Sequence, residues 1–164
     1  MKERQIEEFN PKAEIKNPEI ADRAHHVFKL TIGNDHYNWR NNIEKVNIIR
    51  QGIPYIAIDV FAEKISVPIK ETLNWLEIPQ TTYNKKKKTN QLLNNRQSEM
   101  ILTLTEVLDF GLMVFNHENA KFLRWIKKPN TSLGGVTPES LFDSIAGLQE
   151  VKNALDRLEY GNMA

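Results

Sequence analysis

The chain has 164 residues, 40% of them apolar and 26% charged, with a formal net charge of +1. That is the composition of one globular domain, or of two small ones sharing a core, and not of a disordered chain. It holds no cysteine, which excludes disulfides, thiolate metal sites and cysteine nucleophiles. No apolar run approaches membrane-spanning length, and Met1-Lys2-Glu3-Arg4-Gln5-Ile6-Glu7-Glu8 has no apolar core. No signal peptide is therefore expected, and the expected location is cytoplasmic. The charge is uneven: residues 53–100 carry seven Lys/Arg against five Asp/Glu, and residues 134–164 carry two against five. A basic middle and an acidic tail suggest two different partner surfaces.

Residues 1–17 are charged and aperiodic and read as a loose arm. Asn17-Pro18-Glu19 combines a capping side chain, a proline at the first helical position and an acid near the positive end of the dipole. It predicts a helix to about Lys29. Gly33-Asn34-Asp35 breaks that helix. Ile43, Val46 and Ile49 then recur at helical spacing, with Gly52 as the expected C-terminal cap. Pro54 opens the next helix, which keeps Ile56, Val60, Phe61 and Ile65 on a stripe. After the stop at Ser66-Val67-Pro68, a short helix runs to Leu76. Glu77-Ile78-Pro79 is a tight break, and a second short helix runs from Gln80 to Lys88. Two helices of under three turns, separated by a tight turn, fit a helix-turn-helix.

Ser98 is the expected cap of a longer helix to Phe115. That helix is apolar at Ile101, Leu104, Leu108 and Leu112 and also at Leu102, Val107, Phe110 and Met113, so it is buried on more than one face. Asn116 is expected to cap a helix with Phe122, Leu123 and Ile126 inward, stopped by Pro129. Thr137-Pro138 open another helix that Gly147 ends, and Leu148, Val151, Leu155 and Leu158 stripe the last. No stretch shows sustained period-two alternation. The expected class is all-α, with about seven or eight short helices.

On the helix from Gln80, the side chains of Gln80, Thr81, Thr82 and Asn84 can bond base edges. Lys85, Lys86, Lys87 and Lys88 would then lie along phosphates. The plainer reading is a solvated, charged helix end. Glu77 sits where such turns usually carry glycine, and Leu73 where they usually carry a small residue. A non-glycine residue in the left-handed region costs about 1 kcal/mol. The histidines make no metal pattern: His25 and His26 are adjacent, and His36 and His117 are isolated. There is no phosphate loop, nucleophile elbow, kinase motif or protease motif. The expectation is a non-enzyme with no catalytic residues, metal or cofactor. The apolar helix Met100–Phe115 is a core helix or, alternatively, a dimer interface. The stretch Leu148–Ala164 either packs back on the domain or offers Glu159-Tyr160-Gly161 to a pocket on a partner.

Several residues in the last third recur in a known pattern. Pro129-Asn130, Leu133-Gly134-Gly135, Thr137-Pro138, Asp143, Gly147, Val151, Leu155 and Leu158-Glu159-Tyr160-Gly161, with Trp125 upstream, resemble the C-terminal toxin-binding domain of the Xre/MbcA/ParS antitoxins. Ile53-Pro54 and the helices to Lys88 resemble the Xre-like helix-turn-helix half of the same proteins. The resemblance implies a bacterial type II antitoxin, homodimeric and all-helical. It implies a RES-domain toxin as partner, an enzyme that degrades NAD and whose substrate pocket the antitoxin's C-terminal end occludes. It also implies repression of the antitoxin's own operon through promoter DNA. The implied layout is a variable N-terminal region at 1–50 with dimerisation as its candidate role, an Xre-like helix-turn-helix domain at 51–98 and a C-terminal toxin-binding domain at 99–164. Toxin contact falls on Leu155, Arg157, Leu158, Glu159, Tyr160 and Gly161, and DNA contact on Gln80, Thr81, Thr82, Asn84 and Lys85 to Lys88. Two other readings stand beside this one: a stand-alone helix-turn-helix transcriptional regulator, and a pure toxin inhibitor whose helix-turn-helix is scaffold.

Overall fold

A computed structural model describes residues 26–161. The expected N-terminal arm and most of the helix expected from Pro18 lie outside the described residues. Where that helix was expected to end, the chain is instead a strand, β1 (Phe28–Ile32), hairpinned to β2 (Asp35–Trp39). Phe-Lys-Leu-Thr-Ile alternates apolar and polar side chains over a single short strand, which is the period-two signal on its smallest scale. Gly33 does not break a helix; it takes φ 59 at the first position of a two-residue hairpin turn, where the preferred turns need that sign. Leu30, Ile32 and Trp39 are buried, while Lys29, Thr31, His36 and Asn38 face solvent. The other elements among the described residues are helical, so the all-α class holds with this small sheet added to it.

Helix α1 (Asn42–Gln51) starts where Asn41 Oδ1 accepts the Glu44 amide and Glu44 accepts the Arg40 amide. It stops at Gly52, as expected, with φ 85. Helices α2 (Ala57–Ile65), α3 (Ile69–Trp75) and α4 (Gln80–Lys88) make a compact trihelical unit. Its two ends are stitched together where Tyr55 N donates to Gln91 O at 3.0 Å and Leu93 N to Ile53 O at 2.7 Å. The longest helix among the described residues, α5 (Asn95–Val114), begins three residues before Ser98 in a capping box between Asn94 and Gln97. Ser98 is buried inside that helix and is not its cap. Asn116 and His117 turn the chain through two successive left-handed residues. Helix α6 (Asn119–Ile126) therefore starts later than expected, and Asn116 does not cap it.

Two 3-10 turns follow, Thr131–Leu133 and Pro138–Leu141, and then α7 (Ile145–Gly161). Thr137-Pro138 therefore open a single turn and not a full helix. Gly147 lies within the first turn of α7 and does not end a preceding helix. Ser144 caps that turn, its Oγ accepting the Gly147 amide at 3.1 Å. A Cβ at Gly147 would collide with the Leu141 carbonyl oxygen, so the glycine is what lets the preceding turn sit against α7. Leu148, Val151 and Leu155 are wholly buried, and α7 packs chiefly along α5. At about 1.5–3 kcal/mol per large apolar side chain removed from water, this seam holds the C-terminal third in place.

The turn between α3 and α4 is a Schellman motif. Ile78 N donates to Leu73 O at 2.9 Å and Glu77 N to Asn74 O at 3.1 Å, and Ile78 and Leu73 are both buried. Leu73, where a small residue was expected, thus serves as the apolar partner the motif calls for. Glu77 carries φ 53 at the position glycine usually takes, and its carboxylate reaches the exposed Arg96 guanidinium at 3.4 Å. An exposed pair of that kind contributes little. Glu77→Gly is therefore expected to raise stability by about 1 kcal/mol, read as an upward shift in melting midpoint. Glu77→Ala, which keeps the Cβ, should give none of that gain.

Candidate functional site

Helix α4 presents two kinds of side chain. Gln80, Thr81, Asn84, Lys85 and Lys88 are exposed, and Thr82, Lys86 and Lys87 are half-buried. Gln80 Nε2 donates to Asn84 Oδ1 at 3.0 Å, so two of the expected base-reading groups hold one another across one turn. Tyr83, on the inner side, donates its hydroxyl to Asp59 Oδ1 on α2 at 2.6 Å. Lys87 donates to the same oxygen at 2.8 Å and to the Tyr83 hydroxyl at 3.1 Å. Burial together with the Asp59 carboxylate pushes the Tyr83 hydroxyl above its ordinary range. The hydrogen bonds to Asp59 and Tyr83 raise the Lys87 ammonium. Both groups stay protonated through the physiological range and pin α4 to α2.

The lysine run is thus not four equal phosphate contacts. Lys87 is committed to the Asp59–Tyr83 cluster, and Lys86 lies over the Tyr55 ring at 5.5 Å. Lys85 and Lys88 carry the exposed charge. Asp59, which fixes this arrangement, had no signal in the sequence, because its partners lie 24 and 28 positions away.

The second surface is the C-terminal frame. Asn130 organises the turn after α6: its Oδ1 accepts the Ser132 amide at 2.9 Å, and its own amide donates to the Val136 carbonyl at 2.9 Å. Gly134 and Gly135 take φ 73 and 84 with open space around them. They are there for backbone sign and not for close packing. Upstream of this loop Phe115, Phe122 and Trp125 pack on one another at 5.6–6.3 Å between centroids, with Phe122 and Trp125 stacked and Phe115 tilted against both. Along α7, Leu155 has no exposed surface and Leu158 packs partly into the core. Leu155 is therefore a packing residue that holds the helix, and it has no face to offer a partner. Arg157, Tyr160 and Gly161 face outward, Tyr160 at 51% exposure, and Glu159 is half-buried.

The two surfaces are physically joined. Trp75, the last residue of α3, meets Phe142 edge to face at 5.0 Å. Beside that contact, Lys127 at the end of α6 pairs with Glu71 of α3 at 3.0 Å. Glu139 completes the group: burial raises its carboxyl, Lys127 draws it down and Glu71 pushes it up, with the net shift upward.

The description Antitoxin Xre/MbcA/ParS C-terminal toxin-binding domain applies to a family whose pattern matches residues 111–161. The chain is 27% identical over 114 residues to Antitoxin Xre of Photorhabdus laumondii, a match spanning 70% of this chain and 77% of that protein. It is 28% identical over 116 residues to Antitoxin Xre of Yersinia enterocolitica, spanning 71% and 78%. It is 26% identical over 130 residues to the Prs ADP-ribosylating antitoxin of a Sphingobium strain, spanning 74% and 82%.

A raised carboxyl means that folding favours the protonated form, so Glu139 contributes most at acid pH and loses that contribution as pH rises through its raised folded pKa. Glu139→Gln is expected to raise the melting midpoint at neutral pH. The gain should shrink toward zero below the ordinary carboxylate range, measured by thermal denaturation across pH.

Proposed function

We propose that this member of the Xre/MbcA/ParS antitoxin family is the antitoxin of a type II toxin–antitoxin pair. It binds its toxin through the C-terminal frame and the outward side of α7. The observation that carries this reading is the match over residues 111–161, which takes in that frame and the described length of α7. Within it, Gly147 and the Asn130–Val136 turn set the direction of a helix whose last turn presents Arg157 and Tyr160. The partner in this reading is a RES-domain toxin that degrades NAD, its substrate pocket closed by the chain's end. Asp156 and Glu159 would stand where that pocket receives dinucleotide phosphates. The test is co-purification with the toxin encoded beside it, with NAD consumption followed with and without this chain. Tyr160→Ala and the pair Asp156→Asn with Glu159→Gln should weaken neutralisation by more than any accompanying shift in melting midpoint explains. Leu155→Ala should instead cost about 2–5 kcal/mol of stability. Full neutralisation by both surface variants would remove α7 from the contact.

The same reading has the chain act as a homodimer and repress its own operon through α4. Gln80, Thr81, Thr82 and Asn84 would meet base edges, with Lys85 and Lys88 on phosphates. The capture of Lys87 by Asp59 and the Gln80–Asn84 pair favour a second reading, in which the trihelical unit is scaffold and the chain only inhibits toxin. A gel shift on upstream DNA across salt concentrations separates them. DNA binding predicts that Lys85→Ala and Lys88→Ala each lower the salt slope by about one. The scaffold reading predicts no salt-sensitive, sequence-preferring shift.

A further inference from the structure

The hairpin has two outer edges, and they are treated differently. A two-residue turn makes Ile32–Asp35 the first hydrogen-bonded pair, so Leu30–Tyr37 and Phe28–Trp39 are bonded as well. The backbone groups of Lys29 and Thr31 therefore point outward from β1, and those of His36 and Asn38 point outward from β2. The β1 edge lies against α2, and Lys64 Nζ reaches the Lys29 carbonyl at 3.4 Å. The β2 edge opens on a groove of about 560 Å³, lined by the Asp35–Asn38 strand, Ile48 and Gln51 of α1, and Leu92. Leu92 is 54% exposed there. Among the described residues no strand pairs with this edge, and an open edge beside an exposed apolar side chain is a template for strand addition.

We propose that a second copy of this chain docks here, its β2 antiparallel to this one about a two-fold axis at Tyr37, giving a four-stranded sheet. The edge is its own complement. His36 and Asn38 sit symmetrically about Tyr37, so each pairs with the other residue of the second copy, and all four outward amides and four outward carbonyls are satisfied. That is the isologous contact a two-fold requires. In this register Asp35 faces Trp39 and Arg40 faces Asn34, so no like charges are opposed. The added strands also extend a two-stranded sheet that is marginal by itself. The proposal rests on the homodimer of the preceding reading but not on the toxin or the DNA.

The experiment is light scattering and sedimentation on the full chain. The side chains of His36 and Asn38 face solvent, so charge changes there leave the hairpin's core face alone. His36→Asp with Asn38→Asp opposes carboxylates across both pairs and should weaken the dimer about tenfold or more at low salt. His36→Lys with Asn38→Asp opposes unlike charges and should restore it. Asn38→Pro removes an outward amide and should abolish it, with circular dichroism and melting checking that the fold is kept. A monomeric wild-type chain at micromolar concentration would overturn both the homodimer and this edge. A dimer indifferent to all three variants would keep the homodimer and overturn this edge.

Discussion

One helix sets the terms for everything else. Helix α5 is apolar on nearly every side: Met100, Ile101, Leu102, Leu104, Val107 and Leu108 are all buried. A helix that is hydrophobic all round cannot stand at a surface and must be covered from several directions. The fold is the set of covers. Helix α7 takes one side through Leu148, Val151 and Leu155. Helix α6 takes another, so closely that a Cβ at Gly111 would collide with the Phe122 ring. The hairpin and α1 take a third. Trp39 Nε1 donates to Glu106 at 2.6 Å, and Lys45, itself buried, bridges Glu106 at 3.1 Å and Thr103 at 2.7 Å. The trihelical unit is tied on where the Tyr55 hydroxyl donates to Gln97 at 3.1 Å.

This arrangement puts the two candidate surfaces in register with one another. Helix α4 is not laid on the molecule by its own hydrophobic face, which is little more than Tyr83. It is held by a polar cluster with Asp59, and its neighbour α3 is wedged against the C-terminal frame by Trp75, Phe142 and the Glu71–Lys127 pair. The basic middle and the acidic end recognised in the composition therefore share a single core, and are not beads on a linker. Charge at the surface is correspondingly selective. Of four consecutive lysines, one is spent on internal structure, one leans on an aromatic ring, and two remain outward.

Local chemistry was readable in places and misleading in others. Gly52, Pro68 and Pro79 mark their boundaries because proline and glycine act through the backbone of a single residue, whereas Pro54 lies three residues ahead of α2 in a bridge to Leu92. The strain at Glu77 was visible for the same reason: the position in the turn dictates the sign of φ. Ser98 and Asn116 misled because a capping side chain is equally at home elsewhere. Asn94, with Gln97 three residues on, makes a better cap, and Asn116 serves a left-handed turn. Gly147 read as a helix stop because glycine has two uses, and only the approach of the Leu141 carbonyl shows which one applies. The hairpin was missed because five alternating residues are too few to stand out from their surroundings.

The sequence by itself determined the helical class, the helix-turn-helix spacing, the punctuated terminal block and the apolar stripe of α7, since each depends on periodicity or on one residue's backbone preference. Tertiary structure alone decided which of the marked side chains are available. Leu155 lies inside the core and Tyr160 outside it. Lys87 answers to Asp59, Glu139 shares a half-buried site with Glu71 and Lys127, and among the described residues one edge of the hairpin is covered while the other is open. Those outcomes depend on contacts between residues far apart in the chain, and desolvation and pairing act only once the fold has brought them together.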